Sequence, residues 1–69
     1  MMHDPDKLNY REAHAGAKII KKIYSSRKVW VTKGWYGYEI NTACSDGSYH
    51  KVIKYKESLE DYIRIHSEN

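Results

Sequence analysis

The residues in this sequence that could do chemistry are one cysteine, four histidines and two close pairs of acids. A catalytic thiol needs a base within reach, and a zinc site needs cysteines and histidines at short, regular spacing. Neither pattern occurs, and the acid pairs suit the first turns of helices, where the dipole favours negative charge. We therefore expect no catalytic centre, no metal site and no cofactor. The residues concerned are Cys44; His3, His14, His50 and His66; Asp4 with Asp6; and Glu60 with Asp61.

Length and composition limit the kind of protein. A chain of 69 residues makes one domain with a small core. One cysteine cannot form an internal disulfide, which best fits a reducing compartment, although a single thiol could also cross-link two chains. Residues 1–5 do not resemble a secretion signal and no apolar run is long enough to span a membrane, so we expect a cytoplasmic protein. A net charge of +3 permits an anionic partner without requiring one.

Two turn signals organise the middle of the chain. Asp46-Gly47 lies between alternating runs and predicts a tight β-hairpin, because a type I′ turn needs positive φ at both central residues. Lys33-Gly34 predicts the preceding hairpin, with a weaker signal. The sequence thus predicts three antiparallel strands over residues 28–33, 35–44 and 49–56.

These turns also predict the register. The second turn pairs Cys44 with Tyr49, Thr42 with Lys51, Asn41 with Val52, Ile40 with Ile53, Glu39 with Lys54 and Tyr38 with Tyr55. The first turn pairs Val31 with Tyr36, Trp30 with Gly37, Val29 with Tyr38 and Lys28 with Glu39. Both registers give the same apolar face, which collects Val29, Val31, Tyr36, Tyr38, Ile40, Cys44, Tyr49, Ile53 and Tyr55. The opposite face would carry Lys28, Glu39 and Lys54 in a row, with the acid between two bases.

A helix is predicted at each end of the chain. Asn9 with Glu12 forms a capping box for a helix from residue 10 to about 24, and an earlier start at Asp4-Pro5 stays open. Ser58 is the expected cap of the last helix. The first helix should bury Leu8, Ala15, Ile19 and Ile23, flanked by Ile20, with Gly16 at a close approach to the sheet. The last helix should bury Leu59, Tyr62, Ile63 and His66.

The predicted fold is a small two-layer α+β domain over residues 1–69. Its order is helix, three-stranded antiparallel sheet, helix (αβββα). Both helices must cover the apolar face of the sheet, since each needs a surface on which to bury its stripe. The other face of the sheet is then left open.

The open face holds both tryptophans beside lysines. Large aromatics among cations are typical of a contact surface for protein or nucleic acid. In the alternative, Trp30 only covers Gly37 and Trp35 folds over its turn. The predicted partner-binding residues are Trp30, Trp35, Lys28, Lys54, Lys56 and His50.

A second candidate surface is the basic side of the first helix. Its cations fill an arc of roughly 100° at 100° per residue. They form either a solvated face or a patch that binds nucleic acid or another anion. The residues are Lys7, Arg11, His14, Lys18, Lys21 and Lys22.

The predicted topology resembles two nucleic-acid-binding folds. The order helix, three strands, helix resembles double-stranded-RNA-binding domains, which have a lysine cluster where this chain has Ser58-Leu59-Glu60-Asp61. The sheet followed by a helix resembles the arm-binding domains of tyrosine recombinases, which insert a sheet into the DNA major groove. Neither resemblance extends to a motif matched residue by residue, so no family is assigned.

The sequence therefore predicts a small non-enzymatic binding protein with two classes of partner. In the first, it is a protein-interaction module or an inhibitor of a host or defence complex, of the kind carried by phages and mobile elements and similar in size and character to anti-CRISPR proteins. In the second, it is a basic nucleic-acid-binding domain that uses the open face and the basic helix. We expect no membrane contact, and either a monomer or a homodimer joined through the open sheet face.

Overall fold

The computed structural model describes residues 4–67 and has the predicted order of elements. A three-stranded antiparallel sheet, with strand order β1-β2-β3, lies between two helices in the sequence. The predicted αβββα class is therefore confirmed. The elements are α1 (Tyr10–Ile23), β1 (Lys28–Gly34), β2 (Gly37–Ala43), β3 (His50–Ile53) and α2 (Lys56–Ser67).

The start of α1 follows the capping rule read from the sequence. The Asn9 side chain accepts a hydrogen bond from the Glu12 amide at 2.8 Å, and the Glu12 carboxylate accepts one from the Asn9 amide at 2.9 Å. This reciprocal pair is the predicted capping box. The alternative start at Asp4-Pro5 is not used, because Asp4 instead accepts a bond from the Asp6 amide in a turn.

The β2–β3 register is confirmed over its central pairs. Ile40 lies opposite Ile53, and Asn41 lies opposite Val52. The turn type differs from the prediction, because positive φ occurs at Gly47 (80°) and not at the residue before it. The connection comprises residues 44–49, and within it the Gly47 amide donates to the Cys44 carbonyl at 3.0 Å.

Beyond Ile53 the N-terminal segment separates β3 from β2. The Leu8 amide donates to the Lys54 carbonyl at 3.1 Å, and the Leu8 carbonyl accepts from the Tyr38 amide at 2.8 Å. The predicted pairs Tyr38–Tyr55 and Glu39–Lys54 are therefore wrong, and β3 is shorter than expected. Inserting Leu8 here buries its side chain completely, with 1% exposed.

The β1–β2 register also differs from the prediction. Gly34 lies opposite Gly37, so the turn residues are Trp35 and Tyr36 rather than Lys33 and Gly34. The partner of each β1 residue moves by four positions along β2. Because this shift is even, the residues that stay within β1 and β2 keep their predicted faces, whereas Trp35 and Tyr36 leave the strands for the turn. The observed pairs replacing the predicted ones are Lys28–Ala43, Val29–Thr42, Trp30–Asn41, Val31–Ile40 and Thr32–Glu39.

The unexpected turn is held by the N-terminal segment. Tyr36 has a φ of 57°, a left-handed conformation that is costly for a bulky residue. Its carbonyl accepts a bond from the Asp4 amide at 3.0 Å, and the Trp35 carbonyl accepts one from Lys7 Nζ at 2.8 Å. These remote contacts explain why local turn rules pointed to Lys33-Gly34 instead.

Both helices contribute to one core on the predicted face of the sheet. Gly16 lies where α1 meets both other layers, since a methyl group there would come within 2.8 Å of Ile40 Cδ1 and 2.7 Å of Leu59 Cδ2. The expected close approach to the sheet is confirmed, and it extends to α2. The buried hydrophobic residues are Leu8, Ala13, Ile20, Ile40, Ile53 and Tyr62.

The docked side of α1 is rotated by about one residue from the predicted stripe, roughly 100° around the helix. Ala13, Gly16 and Ile20 are buried, whereas Ile19 is 42% exposed and Ala15 is exposed. The small residues allow the helix to lie close to the sheet, and a pattern of large residues alone does not reveal that face.

The remaining corrections concern α2 and the edge of the core. α2 starts at Lys56, two residues before the predicted cap Ser58. Its predicted apolar face is confirmed, with Tyr62 buried and Leu59, Ile63 and His66 half-buried. Tyr36 and Tyr55 are exposed, so these two were wrongly expected inside, and Cys44 is half-buried.

Candidate functional site

The candidate site is the open face, by which we mean the side of the sheet opposite both helices. Alternation along the three strands places Lys28, Trp30, Thr32, Asn41, His50 and Val52 there. Trp30 is 42% exposed and Val52 is 37% exposed. An apolar and aromatic area thus remains in contact with solvent although the core is already closed on the other side.

Trp30 is positioned by a small polar network. Its ring stacks on the His50 ring, with centroids 5.9 Å apart and planes at 14°. Between them on the central strand, Asn41 is 7% exposed, donates to Thr32 Oγ1 at 2.9 Å and lies 3.4 Å from His50 Nε2. Trp30 therefore lies across from Asn41, and the alternative in which it covers Gly37 is wrong.

The β1–β2 hairpin ends in an aromatic tip formed by Trp35 and Tyr36. Their side chains are 79% and 55% exposed, and the ring centroids are 5.9 Å apart. Both carbonyls of the tip are bonded to the N-terminal segment. Because these bonds restrain the backbone of the tip, we expect it to lose little entropy when it enters a partner's pocket.

The lysines predicted to join this surface are divided by the structure. Lys28 is exposed on the open face, and Lys54 is exposed just after β3. Lys56 belongs instead to the first turn of α2, where its Nζ lies 3.4 Å from the Glu12 carboxylate on α1. It was expected at the end of a longer third strand, and the early end of β3 moves it to the helix side.

The basic side of α1 is narrower than predicted. Arg11, Lys18 and Lys22 are exposed, as is His14. Lys7 donates to the Trp35 carbonyl and lies 5.7 Å from the centre of the Tyr55 ring. Lys21 Nζ donates to the carbonyls of residues 25 and 27 at 2.8 and 2.7 Å. Lys7 and Lys21 therefore stabilise the fold. The residues that remain available to bind an anion are Arg11, His14, Lys18 and Lys22.

An arginine–aromatic cluster at the other end of the domain was missed from the sequence. The Arg27 guanidinium lies 3.8 Å from the centre of the Tyr24 ring and 4.6 Å from that of Tyr49. It also donates to the Tyr62 hydroxyl at 3.0 Å. His66 stacks on Tyr62 with centroids 4.0 Å apart, and its Nδ1 is hydrogen-bonded to the Tyr24 hydroxyl.

This cluster joins the end of α1, the loop before β1, the loop before β3, and α2. Burial raises the pKa of Tyr62 to about 12, with Tyr49 adding to the shift. Burial lowers the pKa of Arg27, but nearby acidic groups, Tyr62 first, raise it by more. Its members come from four separate segments, so no spacing in the sequence could have indicated it. We interpret the cluster as structural, because it closes the gap between the helices.

Acidic side chains form a shallow groove at the start of α2. Asp6, Glu57, Glu60 and Asp61 line it together with Tyr55. Within residues 4–67, no three or more His, Cys, Asp or Glu side chains are arranged to hold a metal ion. No helix in the same range combines the length and apolar character needed to cross a membrane.

No protein family, characterised protein or solved structure matches the chain. The function must therefore be inferred from the surfaces described above.

Proposed function

We propose that this protein is a protein-binding module whose contact surface is the open face together with the Trp35–Tyr36 tip. The observation that carries the proposal is the exposure of large apolar side chains outside the core, namely Trp30, Val52, Trp35 and Tyr36. Tryptophan and tyrosine are the residues most enriched in binding hot spots. An exposed aromatic surface of this kind reduces solubility unless a partner covers it.

The chemistry of the surface suggests the chemistry of the partner. Trp35 extends from a fixed tip and suits an apolar pocket, while Lys28 and Lys54 suit acidic groups around that pocket. The finer proposal is an inhibitor of a host or defence complex, as found among proteins of phages and mobile elements. It is supported by the exposed tryptophans.

A first experiment measures the exposure of each indole. Trp30→Phe leaves Trp35 as the only indole, and Trp35→Phe leaves Trp30. Acrylamide should quench both, with Trp35 the more accessible because 79% of its side chain is exposed. The mass in solution is measured at the same time, since a dimer joining the open faces would shield both rings. Shielding of both indoles in a confirmed monomer would contradict the proposal.

A second experiment compares the proteins that bind the native chain and its variants. Trp30→Ala and Trp35→Ala should each weaken the binding of a true partner by about 2 kcal/mol or more. Ile65→Ala is the matched control, because Ile65 is 55% exposed but lies on α2, on the other side of the sheet. Equal losses from all three variants would show that the bound protein does not use the open face.

The second candidate function, nucleic-acid binding, is favoured by the exposed cations of α1. Arg11, Lys18 and Lys22 lie on one solvent-exposed side of this helix. If they contact phosphates, affinity for random DNA or RNA should fall steeply with salt, and Arg11→Ala or Lys18→Ala should flatten that dependence. Lys51→Ala, at an exposed site away from α1, is the control. Absence of binding at low salt would remove this candidate.

A further inference from the structure

The outer edge of β1 has backbone groups that point away from the sheet. The amides of Tyr38 in β2 and of Cys44 just after it donate towards the β3 side, to the carbonyls of Leu8 and Tyr49. Since bonding directions alternate along a strand, the odd-numbered residues of β2 bond to β1. Their partners in β1 are the even-numbered residues. The N–H and C=O groups of the odd-numbered residues, Val29, Val31 and Lys33, therefore point outwards.

Both ends of this edge are closed by lysine side chains. The Arg27 carbonyl accepts a bond from Lys21 Nζ at 2.7 Å, and the Trp35 carbonyl accepts one from Lys7 Nζ at 2.8 Å. Between them, within residues 4–67, no hydrogen bond reaches the outward groups of the three odd-numbered residues. A straight edge of this length, without proline or a bulge, readily pairs with another strand.

We propose that a second copy of this chain occupies the edge, with the two β1 strands antiparallel about a twofold axis at Val31. Val31 then lies opposite the partner's Val31, and Val29 lies opposite the partner's Lys33. This register pairs all three outward residues of each chain. Moving it by two residues either way would bring an outward residue opposite Arg27 or Trp35, whose carbonyls are already bonded. The product is a continuous six-stranded sheet.

Charge complementarity supports a second copy as the occupant. The Glu39 carboxylate lies directly over Gly34, where a methyl group would collide with it. In the proposed register Lys28 lies opposite the partner's Gly34, so its ammonium meets the partner's Glu39 carboxylate, and the twofold axis forms this ion pair twice. Within one chain Glu39 lies opposite Thr32, roughly 13 Å along β1 from Lys28. The pair therefore forms only between chains.

The rest of the molecule accommodates this arrangement. No two like charges lie opposite each other across the new strand pair, because Lys33 lies opposite the partner's Val29. α1 packs over β1 and β2. Two such helices on neighbouring halves of one sheet would lie about 10 Å apart, an ordinary helix-packing distance. The twofold axis is perpendicular to the sheet, so both Trp30 rings lie on one common open face.

A charge-swap experiment tests the proposal. Native protein should sediment with twice the mass of the chain. Lys28→Glu and Glu39→Lys should each raise the dimer dissociation constant by at least about tenfold, because each places like charges together twice. An equimolar mixture of the two variants should recover the native affinity as a heterodimer, since both ion pairs are then complementary. Native protein that remains a monomer at millimolar concentration overturns the proposal, as does a dimer that neither substitution weakens.

A backbone variant provides the second measurement if a charge variant fails to fold. Lys33→Pro removes an outward N–H while leaving the bonds between β1 and β2 in place. Lys33→Ala is the matched control, because it removes the same charge and keeps the N–H. The dimer should be lost with proline and retained with alanine. A dimer that survives in the folded Lys33→Pro variant overturns the proposal.

Discussion

Two adjacent isoleucines on α1 test where the helix is docked. Ile20 is fully buried in the core, whereas Ile19 is 42% exposed. The helical spacing of Ala15, Ile19 and Ile23 predicted that Ile19 lies in the buried stripe, so Ile19→Ala would have been expected to cost about 2–5 kcal/mol. The structure assigns that cost to Ile20→Ala instead.

The size of the difference follows from burial. Full burial of an isoleucine side chain stabilises the fold by about 1.5–3 kcal/mol. Ile19 is only partly buried, so Ile19→Ala should cost about 1 kcal/mol. Replacement by alanine also restores a few tenths of a kcal/mol of helix propensity at either position. That gain cancels in the comparison, because both substitutions are Ile→Ala in the middle of one helix. Ile20→Ala should therefore be less stable than Ile19→Ala by about 2 kcal/mol.

The measurement is urea unfolding followed by circular dichroism. In thermal melts, the same difference of about 2 kcal/mol between the two variants corresponds to roughly 8–16 °C in Tm for a domain of this length. Ile20→Val is included because its smaller cost, about 0.5–1.5 kcal/mol, keeps the protein folded. Unchanged m-values would show that the native and unfolded states are comparable. If Ile19→Ala costs as much as Ile20→Ala, the docked face of α1 has been assigned wrongly.

Three further substitutions test other parts of the fold. Thr42 is fully buried and its hydroxyl has no hydrogen-bond partner among residues 4–67, so Thr42→Val should raise the free energy of unfolding by about 1 kcal/mol, measured by thermal melts with Thr42→Ser as control. Gly16→Ala should lower it by about 1 kcal/mol in urea unfolding, because crowding against Ile40 and Leu59 costs more than the gain in helix propensity. The pKa of Tyr62 is about 12 when folded and near 10.0 when unfolded, so its contribution to stability is complete below pH 10 and is lost as the pH rises to 12. Tyr62→Phe should remove that part of the alkaline decline in unfolding experiments, and an unchanged decline would contradict the assignment.

What the sequence predicted well depended on strong local signals. The capping box of Asn9 and Glu12 located the start of α1 to the residue. The turn around Gly47 set the register of β2 against β3, and the pair Ile40–Ile53 is found as expected. In both cases the determining residues are within a few positions of the feature that they determine.

The features that were missed depend on residues far apart in the chain. The turn at Trp35 and Tyr36 requires a left-handed tyrosine, which local rules reject and which the Asp4 amide and the Lys7 side chain stabilise. The same N-terminal segment shortens β3, which moves Lys56 out of the candidate contact surface. No local pattern reports that a segment near the start of the chain will bind a turn near its middle.

The predicted register between β1 and β2 was wrong by an even number of residues. This explains why strand residues lie on their predicted sheet faces although their cross-strand neighbours differ. A shift of four positions between β1 and β2 returns every side chain to the same side of the sheet, so Trp30 and Lys28 remain on the open face. The same shift separates Lys28 from Glu39, which had been expected to pair within the chain. Both charges stay on the open face, Lys28 at the start of β1 and the Glu39 carboxylate over Gly34 at its end. Antiparallel pairing of two β1 strands would bring Lys28 of each chain next to Glu39 of the other. The ion pair that the sequence suggested inside one chain is therefore the contact that the proposed dimer would form between two.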